Sequence, residues 1–125
     1  MALENLTTEN FNDKVASAEI AIIDFWAPWC GPCKQFGPIF EKVAGNHPDI
    51  LFGKVNTEEA QEIAAYFNIQ SIPTVMIIRE GIVLFQQPGM VPEEGLEDLI
   101  KQVKALDMDQ VRKEIEAQQQ QQPSS

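Results

Sequence analysis

A short apolar run that ends in a pair of cysteines does most to limit what this chain can become. Residues Ile20-Ala21-Ile22-Ile23-Asp24-Phe25-Trp26 have the length of a strand, and apolar side chains at both alternating positions predict one buried on both faces. The run leads through Ala27-Pro28-Trp29 into Cys30-Gly31-Pro32-Cys33-Lys34, after which apolar residues return at helical spacing. Cys30 therefore falls at a strand-to-helix junction. The free N–H groups and positive dipole end of a new helix favour a thiolate over a thiol, so a cysteine held there is a nucleophile at neutral pH. Pro32 suits the first helical turn, because it fixes φ and lacks an N–H that would have no partner there.

Three other uses of the Cys-x-x-Cys spacing compete with reversible dithiol chemistry. Structural zinc takes four nitrogen or sulfur ligands, whereas this chain has two cysteines and one histidine. His47 lies in an Asn-His-Pro loop signal, so a zinc site would need carboxylates or a second subunit. Two buried, inert cysteines fit poorly with a Gly-Pro spacer flanked by tryptophan. A permanent bridge across so small a ring would restrict little unfolded-chain entropy. Reversible dithiol chemistry is the reading these residues favour, and no metal is expected.

Composition bounds the class. A chain of 125 residues, 44% hydrophobic and 22% charged, can bury a sizeable core in one domain. With 19 acidic against 9 basic residues the formal net charge is -10, which repels phosphates and anionic headgroups and argues against nucleic-acid or membrane partners. No apolar segment reaches membrane-spanning length, and Met1-Ala2-Leu3-Glu4-Asn5 lacks a basic region followed by an apolar one. No export signal is therefore expected, and a reducing cytoplasm is the expected compartment.

In chain order, Thr7 or Thr8 is the expected N-cap of a short helix carrying Phe11 and Val15 inward. After the central strand, a helix from Cys33 to about Ala44 carries Phe36, Ile39, Phe40 and Val43, with an expected kink at Pro38. Ile50 to Val55 form a second buried strand. Thr57-Glu58-Glu59-Ala60 has the pattern of a helix start, with Thr57 as cap, and that helix is expected to end near Phe67, before an Asn68 suited to the left-handed conformation. Thr74 to Ile78, a turn at Arg79-Glu80-Gly81, and Ile82 to Phe85 predict a hairpin. A last domain helix after Pro92 presents Leu96, Leu99, Ile100 and Val103. The fold class is thus α/β, with a mixed central sheet covered by helices on both faces.

The segment Trp26-Ala27-Pro28-Trp29-Cys30-Gly31-Pro32-Cys33-Lys34, with Asp24 before it and Ile72-Pro73-Thr74 after it, resembles the thioredoxin family from about Leu6 to about Leu106. The resemblance implies a thioredoxin-like fold and a protein dithiol-disulfide oxidoreductase acting through a reversible Cys30–Cys33 disulfide. It implies no metal or organic cofactor. Disulfide-containing proteins would be the substrates, and a separate NADPH-dependent flavoprotein reductase would supply electrons. Cys30 would attack and Cys33 would resolve, with Gly31 and Pro32 as the redox-tuning spacer.

Asp24, between Ile23 and Phe25, is expected to be desolvated, which raises the pKa of a carboxyl group. By resemblance it exchanges a proton with Cys33, and Lys54 on the next strand tunes it. A bare Xaa-Pro bond is usually trans, but the resemblance implies a cis Pro73 that brings the Ile72 backbone beside the cysteines. Trp29, Ile72, Pro73 and Gly89 would line a shallow substrate-docking surface, with Trp26 packed beneath it. Ser71 and Pro88 depart from the family pattern, which bears on substrate preference.

The thioredoxin-like domain is expected to span 1–106. Met108, Val111 and Ile115 share a helical face out of phase with Leu96, Leu99 and Val103, so 107–117 reads as an extra C-terminal helix and 118–125 as a disordered Gln-rich tail. A redox-responsive chaperone or interaction module, holding clients at the apolar surface around the cysteines, is the alternative function.

Overall fold

The computed structural model describes residues 3–121, so the start of the 1–106 span and the end of the Gln-rich tail lie outside the described residues. The elements are β1 (Leu3–Leu6), α1 (Phe11–Ala16), β2 (Ile20–Trp26), α2 (Gly31–Asn46), β3 (Leu51–Asn56), α3 (Gln61–Tyr66), β4 (Thr74–Arg79), β5 (Ile82–Pro88), α4 (Glu93–Ala105) and α5 (Met108–Gln121). The strands form one mixed sheet in the order β1-β3-β2-β4-β5. β1, β3 and β2 run parallel, while β4 is antiparallel to β2 and to β5.

Strand alternation divides the core in two. On one face Ile20, Ile22, Phe52, Val75 and Ile77 meet Phe36, Phe40 and Val43 of α2 and Leu96, Ile100 and Val103 of α4. On the other, Ala21, Ile23, Phe25, Leu51, Val55, Met76 and Ile78 meet Phe11 and Val15 of α1 and Ile63 of α3. Each fully buried aromatic or branched side chain contributes about 1.5–3 kcal/mol, so β2, buried along its length, anchors both layers. Residues 20, 22 and 24 share a face. Asp24 therefore projects toward the α2 and α4 layer.

The structure differs from the sequence expectations at several junctions. β1 was not foreseen: Leu3-Glu4-Asn5-Leu6 carries little apolar signal, yet pairs in register with residues 52–55 of β3 through its backbone. Its approach depends on Gly53, where a Cβ would stand 2.3 Å from Leu6 Cδ1 and 3.3 Å from Ile23 Cδ1. Thr7 and Asn10 form a reciprocal pair, each accepting from the other's backbone N–H, and so brace a turn before α1. Thr57 is not a helix cap. Its N–H and hydroxyl both donate to the Trp26 carbonyl, at 2.9 and 3.1 Å, and α3 begins only at Gln61.

Other ends follow local chemistry. α3 closes in a Schellman motif, with the Ile69 N–H on the Ala64 carbonyl, the Asn68 N–H on the Ala65 carbonyl and Asn68 at φ 56°. The hairpin turns on Glu80 and Gly81, both at positive φ, and β5 continues past Phe85 to Pro88. α2 runs on through Pro38 to Asn46. α5 starts at Met108, where Asp107 Oδ1 accepts the N–H groups of Asp109 and Gln110. It reaches Gln121, beyond the 107–117 span expected, because glutamine is a good helix former. Met108 is buried, while Val111 and Ile115 are half-buried.

Candidate active site

β2 ends at Trp26 and the chain turns, with the Cys30 N–H donating to the Ala27 carbonyl. Cys30 is the N-cap of α2, and its Sγ accepts the Cys33 N–H at 3.2 Å. Sulfur thus occupies the position where a capping oxygen normally satisfies a free N–H at the positive end of the helix dipole. Cys30 and Cys33 are joined in a disulfide with a Cα separation of 5.2 Å, while Gly31 and Pro32 between them are exposed. Both cysteines are buried, each 4% exposed, so whole-residue exposure does not separate them. What separates them is position, Cys30 at the helix cap and Cys33 within the first turn.

The second half of the site comes from the loop before β4. The Ile72–Pro73 bond is cis, and the Ile72 carbonyl oxygen is 3.8 Å from Cys30 Sγ. Ile72 and Trp26 pack against Ala27, Cys30 and Cys33. The loop is tied at both ends: the Thr74 hydroxyl donates to the Ser71 carbonyl at 2.6 Å, and the Gly89 N–H donates to the Pro73 carbonyl at 2.8 Å. Gly89 has φ 99°, which disfavours any residue with a Cβ. Of the residues expected to form a docking surface, Trp29 and Gly89 are exposed and Ile72 is half-buried, whereas Pro73 is buried. Pro73 is therefore not part of the exposed surface.

Asp24 is fully buried, and among the described residues neither carboxylate oxygen has a hydrogen-bond partner. A solvent-facing Asp24 is excluded. Burial pushes its pKa from the ordinary 3.8 up to about 7, and the opposing pull of the Lys54 charge is the smaller effect. Lys54 lies directly across the parallel β2–β3 pair from Asp24, is half-buried, and holds its Nζ 4.6 Å from the Trp26 ring centroid. Gly37 of α2 lies beside it: a Cβ there would stand 3.8 Å from Lys54 Nζ, an ordinary contact. A cleft of about 280 Å³, lined by Cys33, Trp26, Gly37 and Lys54 among others, opens this side of the dithiol to solvent.

One contact was not anticipated. The Trp29 indole N–H donates to Glu58, 29 residues further along the chain. Glu58 belongs to the segment misread as a helix start, and no local pattern marks it as part of a site. His47 is engaged elsewhere, with Glu97, and among the described residues no group of three or more His, Cys, Asp or Glu side chains is placed to hold a metal.

Comparison with known proteins gives one family throughout. The thioredoxin family model matches residues 2–102. A candidate thioredoxin 2 of Streptomyces coelicolor is 56% identical over 114 residues, covering 91% of this chain and 85% of that protein. The thioredoxin of Bacillus subtilis is 35% identical over 101 residues, 80% of this chain and 96% of that protein. Among solved structures, the oxidised thioredoxin of Plasmodium falciparum matches with a TM-score of 0.74 and 28% identity, covering 83% of this chain and 100% of that one. A mutant thioredoxin from Halobacterium salinarum gives a TM-score of 0.77 at 26% identity, over 85% and 94% of the two chains. With a disulfide seated at the cap of α2 and relatives of this kind along almost its whole length, the chain belongs to the thioredoxin family and is a protein dithiol-disulfide oxidoreductase.

Proposed function

We propose that the chain reduces disulfides in protein substrates, with Cys30 as the attacking sulfur, Cys33 as the resolving one and Asp24 as the group that exchanges a proton with Cys33. In the reduced form the Cys30 thiolate attacks one sulfur of a substrate disulfide, forming a mixed disulfide and expelling the other substrate sulfur as a thiolate that takes up a proton. Cys33, losing its proton to Asp24, attacks Cys30; the mixed disulfide breaks, the second substrate sulfur leaves as a thiolate that takes up a proton, and Cys30 and Cys33 are bridged. Two electrons pass from the dithiol to the substrate.

The observation that carries this order is the cap: Cys30 Sγ already accepts the Cys33 N–H at the start of α2, the electrostatic setting in which a thiolate is stabilised. A buried carboxyl group with its pKa near 7 supports the assignment of Asp24, since a proton acceptor works best when its pKa matches the operating pH. Exposed Trp29 and Gly89, with the half-buried Ile72 backbone beside Cys30, support docking of an extended substrate segment along this edge. Gly31 and Pro32 tune the dithiol, and Lys54 tunes Asp24. Electrons return from a separate flavoprotein reductase of the thioredoxin reductase type, without a bound cofactor in this chain, and the setting is cytoplasmic.

Two measurements test this reading. Reduction of a disulfide protein is followed in the presence of NADPH and such a reductase, and Cys33→Ser is expected to trap a mixed disulfide through Cys30. Trapping through Cys33 in a Cys30→Ser variant, with none in Cys33→Ser, would reverse the assignment.

A further inference from the structure

Trp29 immediately precedes Cys30 and is 67% exposed, so its indole is a large part of what a substrate meets at the disulfide. Its Nε1–H is not left to solvent but donates to Glu58 Oε1 at 2.5 Å. Glu58 is itself held in place. Its backbone N–H donates to Asn56 Oδ1 at 3.0 Å, and its carbonyl accepts from the Gln61 side chain at 3.1 Å. Thr57, the residue before it, is fixed by two bonds to the Trp26 carbonyl. The 57–60 segment, which has the composition of a helix start, is thus a braced turn whose carboxylate reaches the tryptophan beside the reactive sulfur.

Resting on the disulfide-reductase reading, we propose that Glu58 is a specificity residue: held against the Trp29 indole beside Cys30, its carboxylate gives that edge of the site a negative charge. Substrates carrying Lys or Arg next to their disulfide are then taken in preference to those carrying Asp or Glu. Exchanging a substrate cation for an anion within a few ångströms of one exposed carboxylate changes association by about three- to tenfold. The preference falls as salt screens the pair.

The test uses the full chain, its reductase and two disulfide peptides that differ only in having Lys or Asp beside the cystine. The native protein should favour the Lys peptide by about three- to tenfold in kcat/KM at low ionic strength. Glu58→Gln keeps a carbonyl to accept the indole N–H but loses the charge, so this ratio should fall toward one while the Trp29 Nε1–H stays protected from exchange. Glu116→Gln, removing the same charge from exposed α5, should leave the ratio as in the native protein. A ratio unchanged by Glu58→Gln, or equally reduced by Glu116→Gln, overturns the specificity assignment. A native chain that reduces neither peptide overturns the reductase reading and this proposal with it.

Discussion

Replacing Asp24 by Asn should stabilise the oxidised protein strongly at alkaline pH and hardly at all in acid. The carboxyl group is fully buried with no hydrogen-bond partner among the described residues, and burial raises its pKa from 3.8 to about 7. A group whose folded pKa is raised binds its proton more tightly in the native state. Its favourable contribution is therefore complete below pH 3.8 and is lost as pH climbs through about 7. At 1.36 kcal/mol for each pH unit, that interval corresponds to about 4 kcal/mol of native stability forfeited by pH 8. Asparagine has the shape and polarity of the protonated acid and cannot ionise, so the variant keeps what the native protein loses.

The measurement is a pair of urea unfolding series on the disulfide-bonded proteins, in which the cysteines do not titrate. Native and Asp24→Asn should differ by about 4 kcal/mol at pH 8 and by less than about 1 kcal/mol at pH 4, with the variant the more stable. Over the same range the proposed role of Asp24 as proton acceptor for Cys33 requires the variant to release mixed disulfides more slowly. Equal stabilities at pH 8 would refute the reasoning, since they would mean that the folded protein ionises Asp24 at no cost. Greater stabilisation at pH 4 than at pH 8 would reverse its sign.

Lys54→Met removes the cation that lowers the Asp24 pKa, so the carboxyl titration followed by NMR should move upward from about 7, and a downward move would rule out the electrostatic role. Truncation after Leu106 deletes the buried Met108 contact and should lower stability in urea by about 1–3 kcal/mol, with reduction of a small disulfide unchanged. Lost activity would place the tail within the catalytic unit. Gly53→Ala drives a methyl group into Leu6 and should cost about 1–3 kcal/mol, read as an earlier unfolding midpoint; a neutral result would show that β1 shifts freely.

The parts of the site that were legible in the sequence are contiguous. Strand, turn, cysteine pair and helix start occupy residues 20–34, and each follows from its neighbours: apolar positions on both faces of β2, proline in the first turn, sulfur at the cap. Cys30 and Ile72, by contrast, are 42 residues apart, and no periodicity links them. Only the family resemblance anticipated that pairing and the cis bond behind it. β1 was illegible because its pairing with β3 is made by backbone groups, which every residue has, and by a glycine that leaves space for Leu6. Burial of Asp24 was readable from Ile23 and Phe25 on either side of it. That both its oxygens lack a partner was not.

The misreading of Thr57 to Ala60 is the most informative of these differences. Threonine followed by two acidic residues is a sound local signal for a helix N-terminus, and the helix it announced does form, three residues late, with Ala60 in place of Thr57 at the cap. What displaces it is tertiary: the Trp26 carbonyl, at the end of β2, takes both the N–H and the hydroxyl of Thr57. Those two bonds tie the end of β3 to the strand that leads into the cysteines, and they leave Glu58 facing Trp29. Local and global preferences conflict here, and the conflict falls beside the reactive disulfide, where strict local consistency gives way to the placement of chemistry. The same holds across the β2–β3 pair, where an unpartnered carboxylate is kept in the core opposite a lysine drawn over an indole. Hydrophobic replacement of Asp24 would suit the sheet better, so a carboxyl group in the middle of β2 is a cost to the fold, and the proton transfer proposed for it is what would offset that cost.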